Sequence, residues 1–451
     1  MAKHPLPPMP PGQPFFGHMR QFNGDTLEFM AKNGSYGDMT AFRFGPYTAY
    51  MLNHPDVVHE VLVVHPEKFN KTDGLKETLA PVLGSGLFTS DGEFWKRQRK
   101  LIQPAFHTKR IGTYADTMVR LSAAAADRMT DGAVVDMDHA MTHLTMGIVS
   151  KTLFDQEVTD KANELSEAVT AVLSTVNEKL SQLVPLPYSI PTPGNRRFLR
   201  AVAKLDAIIQ KFIEDWRAEG VDKGDLLSML MMARDDDGNP MPDKQIANEA
   251  MTLFGAGHET TASTMTWTWY LLSQNPDILA NLHAELDQVL GGRLPTLADL
   301  PNLTYTEKVI KESMRLFPPA WIVTREAIED VQINGYTIPE GSVLLVNIYG
   351  IHHNGRFFPD PEHFDPERFS PEREKTIAKY AYIPFGGGPR VCIGNAFAMM
   401  EATLALATLA QRITAELAPT QVVEPIRMFT LRPKYGMKMI VRSRQTAVEM
   451  A

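Results

Sequence analysis

The stretch Phe385-Gly386-Gly387-Gly388-Pro389-Arg390-Val391-Cys392-Ile393-Gly394 decides the reading of this chain. It sets a thiol after a glycine-rich turn and directly before a segment rich in good helix formers. Glycines let backbone N–H groups close on a sulfur, a helix N-terminus adds positive potential, and a bound metal completes stabilisation of the anion. This is an environment for a thiolate ligand. A lone cysteine is more often a small buried hydrophobe. Three consecutive glycines, an arginine two residues before the sulfur and a helix start just after it do not serve the packing of one small side chain. Cys392 is also the single cysteine among 451 residues. That count excludes an internal disulfide framework and any four-thiolate zinc or iron–sulfur centre.

Outward from that stretch the composition is that of a globular protein. The chain carries 45 Lys+Arg against 53 Asp+Glu, a net charge of -8, with 44% hydrophobic and 22% charged residues. Such a balance is far from that of a disordered chain. An acidic total gives no chain-wide attraction to phosphate backbones, so no nucleic-acid partner is expected. The first twenty residues hold six prolines (Pro5, Pro7, Pro8, Pro10, Pro11, Pro14) and no apolar run, unlike a signal peptide or an anchor. Residues 1–20 read as a proline-rich N-terminal arm, either laid on the surface or free as a tail. The most apolar later stretch, Ala396 to Ala410, is interrupted by Glu401 and is too short for a span of about 20 residues. No membrane span is expected, a cytoplasmic location is the default, and the chain is expected to be a monomer.

At about 150 residues per domain the length would suggest three domains, but no segment has linker composition and no period repeats. The pattern predicts one mainly α domain with small β-sheets over residues 21–442, then a C-terminal tail over 443–451. Between about Gly24 and Val64, β-branched and aromatic residues alternate with polar ones and predict short strands. Helical periodicity follows from about Trp95 to Asp235, broken from Pro185 to Pro193, where four prolines in nine residues remove donors and fix φ. Helices are expected from about Asp243 to Gln274, from Thr304 to Leu316 ahead of Pro318-Pro319, and from about Gly394 to Leu417. Strands are expected from Val323 to Val346, around the hairpin turn Asn334-Gly335, and near Met428 to Val441.

Two further patterns carry chemistry. Ala256-Gly257-His258-Glu259-Thr260-Thr261 lies inside a predicted helix. Its His-Glu pair lacks the second histidine a zinc protease needs, since the position four residues after His258 is Ala262. Gly255 and Gly257 each cost about 1 kcal/mol against alanine within a helix, which points to close approach by something flat or to a locally opened helix. A Thr260 hydroxyl bonded to the Ala256 carbonyl leaves a notch with an acid and an alcohol beside it. Further on, Glu312-Ser313-Met314-Arg315 sets an acid and a base three apart on one helix face, ahead of Pro366-Glu367-Arg368-Phe369.

Taken in order, these patterns resemble the cytochrome P450 family: Phe385-x-x-Gly388-x-Arg390-x-Cys392-x-Gly394 fills its cysteine-loop motif at every specified position. The resemblance covers roughly Pro5 to Arg442. It implies the cytochrome P450 fold, a single triangular-prism-like haem domain, with haem b (iron protoporphyrin IX) as cofactor. It further implies that Cys392 is the axial ligand of the haem iron within a haem-binding loop that includes Phe385 and Gly394. Arg390, Trp95, Arg99 and Arg325 are then propionate contacts, arginine being suited to bidentate carboxylate pairing. Thr260 becomes the oxygen-stabilising alcohol and Glu259 the proton-relay acid. Glu312, Arg315 and Arg368 become a buried charge network that holds the haem loop. The implied reaction inserts one oxygen atom of O2 into a C–H bond or alkene while the other leaves as water, the thiolate pushing electron density that favours O–O cleavage. Electrons would come from NAD(P)H through a separate ferredoxin- or flavodoxin-type donor with its reductase. Lys96, Arg97 and Lys100, with Lys109 and Arg110, form a basic patch, either a solvated helix face or a dock for an acidic electron-transfer protein.

Pocket candidates, by their place in the family pattern, are Leu75, Leu79, Leu83, Leu87, Leu183, Leu186, Phe254, Ala256, Ala320, Ile322, Val323, Phe429, Thr430 and Leu431. They are mostly apolar, which predicts a lipophilic substrate. The sequence from Ala256 to Thr261 is similar to that of bacterial and eukaryote-like fatty-acid hydroxylases. A fatty acid is therefore expected first, with Lys76 or an entrance arginine for its carboxylate, and a terpenoid, steroid or other polycyclic compound second. Two other functions share the fold: an H2O2-driven peroxygenase, against which the intact Glu259-Thr260 pair argues, and a non-catalytic haem-binding sensor.

Overall fold

The computed structural model describes residues 6–444 apart from 14, 45–46, 156–161, 181, 183–185 and 236, and leaves the side chains of 162–167, 170 and 180 undescribed. Five helices position the site: α1 (Gly92–Ile102), α2 (Met137–Phe154), α3 (Asp243–Gln274), α4 (Thr304–Leu316) and α5 (Asn395–Ala410). At 32 residues, α3 is roughly 48 Å long by the helical rise. A helix buried on nearly every side is ordinarily apolar, yet α3 is rich in threonine. Its hydroxyls find partners within the helix. Thr252, Thr260, Thr261, Thr264, Thr266 and Thr268 each donate to the carbonyl four residues back, which satisfies them without a neighbour.

The bounds of α3 and α4 agree with the sequence reading, and α4 stops at Leu316 ahead of Pro318-Pro319. The locally opened helix considered for Gly255 and Gly257 is not found, because α3 is continuous. A Cβ on Gly257 would lie 3.1 Å from Val149 on α2, so that glycine lets two helices approach, whereas a Cβ on Gly255 would meet nothing within 4 Å. The last helix is shorter than expected. It ends at Ala410, and Ile413–Leu417 forms a strand paired with Lys438–Ser443. Cross-strand pairing there overrides the alanine-rich helical pattern. Lys438–Ser443 also runs one residue past the expected domain end at Arg442.

The largest sheet contains β1 (Met39–Phe44), β2 (Tyr47–Leu52), β3 (Phe69–Asn70), β4 (Val323–Ala327) and β5 (Val343–Val346), in the order β1-β2-β5-β4-β3. Only the β2–β5 pair is parallel. The predicted hairpin joins Val331–Ile333 to Tyr336–Ile338, and Asn334 and Gly335 take φ of 49° and 77°. The proline-rich start lies against β1, with the Pro8 carbonyl accepting from the Ala41 N–H at 2.9 Å. No helix among the described residues is long and apolar enough to cross a membrane.

Candidate active site

The cysteine loop is fixed by close contact with residues 60–64. Gly386 and Gly388 have φ of 72° and 68°, where a Cβ is strained. At Gly388 a Cβ would also lie 1.9 Å from the Leu62 carbonyl oxygen. Two hydrogen bonds close the loop, Cys392 N–H to the Phe385 carbonyl at 2.9 Å and Val391 N–H to that of Gly388 at 3.0 Å. Cys392 is exposed although it sits deep enough for burial to push its thiol pKa up. An exposed group with that much protein around it lies on a concave surface. The Gly394 N–H and the Arg99 charge pull the thiol pKa the other way.

An open face also occurs on α3, where Ala256 is exposed and Thr260 half-buried among buried neighbours. The Thr260 Oγ1 donates to the Ala256 carbonyl at 2.9 Å, as the sequence predicted. Glu259 points elsewhere. Its carboxylate, buried, accepts from Thr430 Oγ1 at 2.8 Å. Burial raises its pKa, opposed by the Arg432 charge and the Thr430 hydrogen bond.

Cations gather beside the loop. The Arg390 guanidinium lies 4.5 Å from the Trp95 ring centre and pairs with Asp91 at 2.7 Å, while Arg99 lies 5.7 Å from the same ring. Arg325, also buried, bonds the Thr324 carbonyl at 2.8 Å and has no ion pair within 4.0 Å among the described residues. Burial and the Arg390 charge bring its pKa down to about 10. The Lys71 Nζ donates to the carbonyls of Leu87 and Ser90 at 2.9 and 3.0 Å. Burial, then the Arg390 charge, push its pKa down to about 6. Lys71 and Asp91 were missed in the sequence because neither stands in a motif and their partners are distant in the chain. Lys76, considered for a substrate carboxylate, is held by Asp73 at 2.8 Å and Asp91 at 3.3 Å.

The charge network assembles as expected. Glu312 accepts from Arg315 Nε and Nη2, both at 2.8 Å, and from Arg368 Nε at 3.1 Å. Arg315 Nη1 donates to the carbonyls of His352 and Pro361. Their side chains are 0%, 0% and 5% exposed for Glu312, Arg315 and Arg368.

The pocket candidates divide. Leu75, Leu83, Ala320, Ile322, Val323 and Phe429 are half-buried and Ala256 exposed, and Phe429 meets the Phe88 ring at 5.6 Å. Leu79 and Leu87 are nearly covered, at 4% and 8% exposure. Three candidates are corrected. Phe254 is packed against Phe154 and His258, Thr430 is committed to Glu259, and Leu431 is sealed with its carbonyl accepting from Ser263 and Trp267. They belong to the core around α3. Leu186 is exposed, and Leu183 lies outside the described residues.

A cysteine in a glycine loop, an alcohol on an open helix face and two arginines, Arg325 and Arg390, beside a single carboxylate define a haem-thiolate type of site. Residues 7–441 match the family model described as Cytochrome P450, and the chain belongs to that family. It is 41% identical over 419 residues, 92% of this chain and 91% of the relative, to the "Cyclooctatin synthase" of Streptomyces melanosporofaciens. It is 36% identical over 405 residues, 89% and 88% of the two chains, to the "Cyclooctat-9-en-7-ol 5-monooxygenase" of the same organism. With the "Pentalenene oxygenase" of Streptomyces avermitilis it shares 35% over 425 residues, 94% of each chain. The chain is a P450 monooxygenase.

The residues present fit a haem. An exposed thiol on an interior loop suits an axial ligand, and the open Ala256–Thr260 face suits a planar group. Arg325 and Arg390 face one carboxylate, that of Asp91, and two propionates would supply the missing counter-charge.

Proposed function

We propose that this monooxygenase oxidises a cyclic terpenoid hydrocarbon or its alcohol. One observation carries the preference over a fatty acid: Lys76, named beside an entrance arginine for a carboxylate, is already bound to Asp73 and Asp91. The apolar half-buried residues around Phe88 and Phe429 and the names of the three relatives support it.

Cys392 would ligate the iron, while Arg390, Arg325, Trp95 and Arg99 would hold the propionates. Bound there, the haem supplies activation of O2 with electron density from the thiolate. Thr260 holds its hydroxyl at the open face of α3 and passes a proton from Oγ1. Glu259 supplies that proton after its carboxyl leaves Thr430. Apolar side chains exclude water and orient the substrate. Electrons arrive from a separate donor at the face around Lys96 and Lys100, where Trp95, Arg99, Gln103 and Pro389 line an open cavity of about 420 Å³.

The test is a spectral-shift titration of the ferric holoenzyme with cyclic terpenes and their alcohols, steroids and fatty acids. Tight shifts with the cyclic terpenes are expected. Shifts with fatty acids alone would overturn the substrate class. Cys392→Ala should lose the red-shifted band of the reduced CO form. Thr260→Ala should keep haem but divert reducing equivalents to peroxide.

A further inference from the structure

Glu401 interrupts the apolar run of α5, and none of the roles above uses it. It is fully buried, and neither carboxyl oxygen has a hydrogen-bond partner. A buried polar group left unmatched costs roughly 1–3 kcal/mol, and more when charged. Such a cost is rarely retained without a use. The Thr261 hydroxyl of α3 faces this carboxyl without reaching hydrogen-bonding geometry. Thr261 Oγ1 donates instead to the Gly257 carbonyl at 3.3 Å, a long bond. One residue earlier, Thr260 makes the corresponding bond to Ala256 at 2.9 Å. Glu401 thus abuts, from the core side, the same turn of α3 whose other side is open. No cation faces it. Burial raises its pKa well above the carboxylate range, opposed by the Thr261 hydroxyl.

We propose that Glu401 is a positioning residue: its carboxyl O–H bonds Thr261 Oγ1 and so fixes the turn of α3 that presents Ala256 and Thr260. Thr261 keeps its own hydrogen for Gly257 and offers a lone pair to Glu401. Through that chain α5, which starts three residues after Cys392, is tied to the helix opposite. The inference rests on the role proposed for Thr260, yet its structural part can be read separately.

The experiment compares holoenzymes carrying Glu401→Gln and Glu401→Met. Gln offers an N–H donor at the same place; Met fills the volume without one. The wild type should show a carboxylic-acid carbonyl band in the infrared that shifts in D2O and is missing from both variants. In Glu401→Met, exchange of the amides from Thr260 to Thr264 should quicken about fivefold, the equivalent of ~1 kcal/mol for one lost hydrogen bond. The melting temperature should not fall, because the apolar isostere also removes the second carboxyl oxygen, which the Thr261 bond leaves unmatched. Peroxide formed per NAD(P)H should rise severalfold in Glu401→Met and stay near wild type in Glu401→Gln. Absence of the carboxylic-acid band, or unchanged amide exchange in Glu401→Met, overturns the inference. So does a lowered melting temperature with uniformly faster exchange, which marks a merely structural residue. If exchange changes as expected while Thr260→Ala leaves peroxide unchanged, the role of Thr260 fails and the positioning contact stands.

Discussion

Replacing Glu312 by alanine should be among the most damaging single changes outside the site. Its carboxylate is shared by two guanidinium groups and also accepts the Asp365 N–H at 3.1 Å. Without it Arg315 keeps carbonyl partners at His352, Pro361 and His363, and Arg368 keeps Asp360, so hydrogen bonds survive but charge balance does not. At an effective dielectric near 20, each cation about 4 Å away forfeits roughly 4 kcal/mol of attraction. Relaxation and water entry return part of it, leaving ~3–5 kcal/mol, the usual cost of breaking a buried pair. That is a fifth or more of a typical stability of about 5–15 kcal/mol. Urea unfolding followed by far-ultraviolet circular dichroism measures it. Glu307→Ala is the control, since Glu307 also pairs with Lys311, at 3.0 Å, but is 45% exposed; it should cost under ~1 kcal/mol. A Glu312→Ala loss as small as the control's would refute the buried-charge argument.

Gly388→Ala should cost several times as much as Gly291→Ala, because both have positive φ but only at Gly388 would the new Cβ meet a backbone oxygen; comparison of melting temperatures checks it. Acid should destabilise the fold through His258 and His352, whose pKa values burial lowers from 6.5 to about 4 and about 3. The folded state binds fewer protons than the unfolded one below pH 6.5, so stability falls as pH drops from 6.5 towards 4, by ~3 kcal/mol for each such group. Denaturant midpoints across that range should show it, and a flat profile would count against it. Thr430→Val removes a donor that stabilises the Glu259 carboxylate, so its pKa should rise further. The infrared carbonyl band assigned by Glu259→Gln should then persist to higher pH.

How much was legible depended on how local each feature is. The cysteine loop could be read because glycine, arginine, thiol and helix start must be neighbours in the chain. α3 could be bounded because Pro242 precedes it and Asn275-Pro276 follows. The partner of Glu259 could not be read, since Thr430 lies 171 residues away. Nor could Asp91 be recognised as the counter-charge of Arg390 before the fold joined two distant segments. The strand Ile413–Leu417 was hidden for a similar reason: its partner Lys438–Ser443 decides its state. Lys76 shows the converse, a cation that looks available in sequence and is engaged in the structure.

The turn from Ala256 to Thr261 is flanked by two buried acids whose circumstances differ. Burial raises both pKa values, but Glu259 has the Thr430 hydroxyl and the Arg432 charge to draw it back, whereas Glu401 has only Thr261. Arg432 is itself held by Asp138 at 2.9 Å and Thr142 at 2.8 Å on α2. On the roles proposed above, one acid exchanges its proton and the other keeps it. A relay needs the first property and a fixed helix turn the second, since an acid that ionised inside the core would repel its surroundings instead of bonding them. If the proposed contact holds, that division accounts for the glutamate in the apolar run of α5 and for a turn of α3 that carries its alcohol on an open face without unwinding.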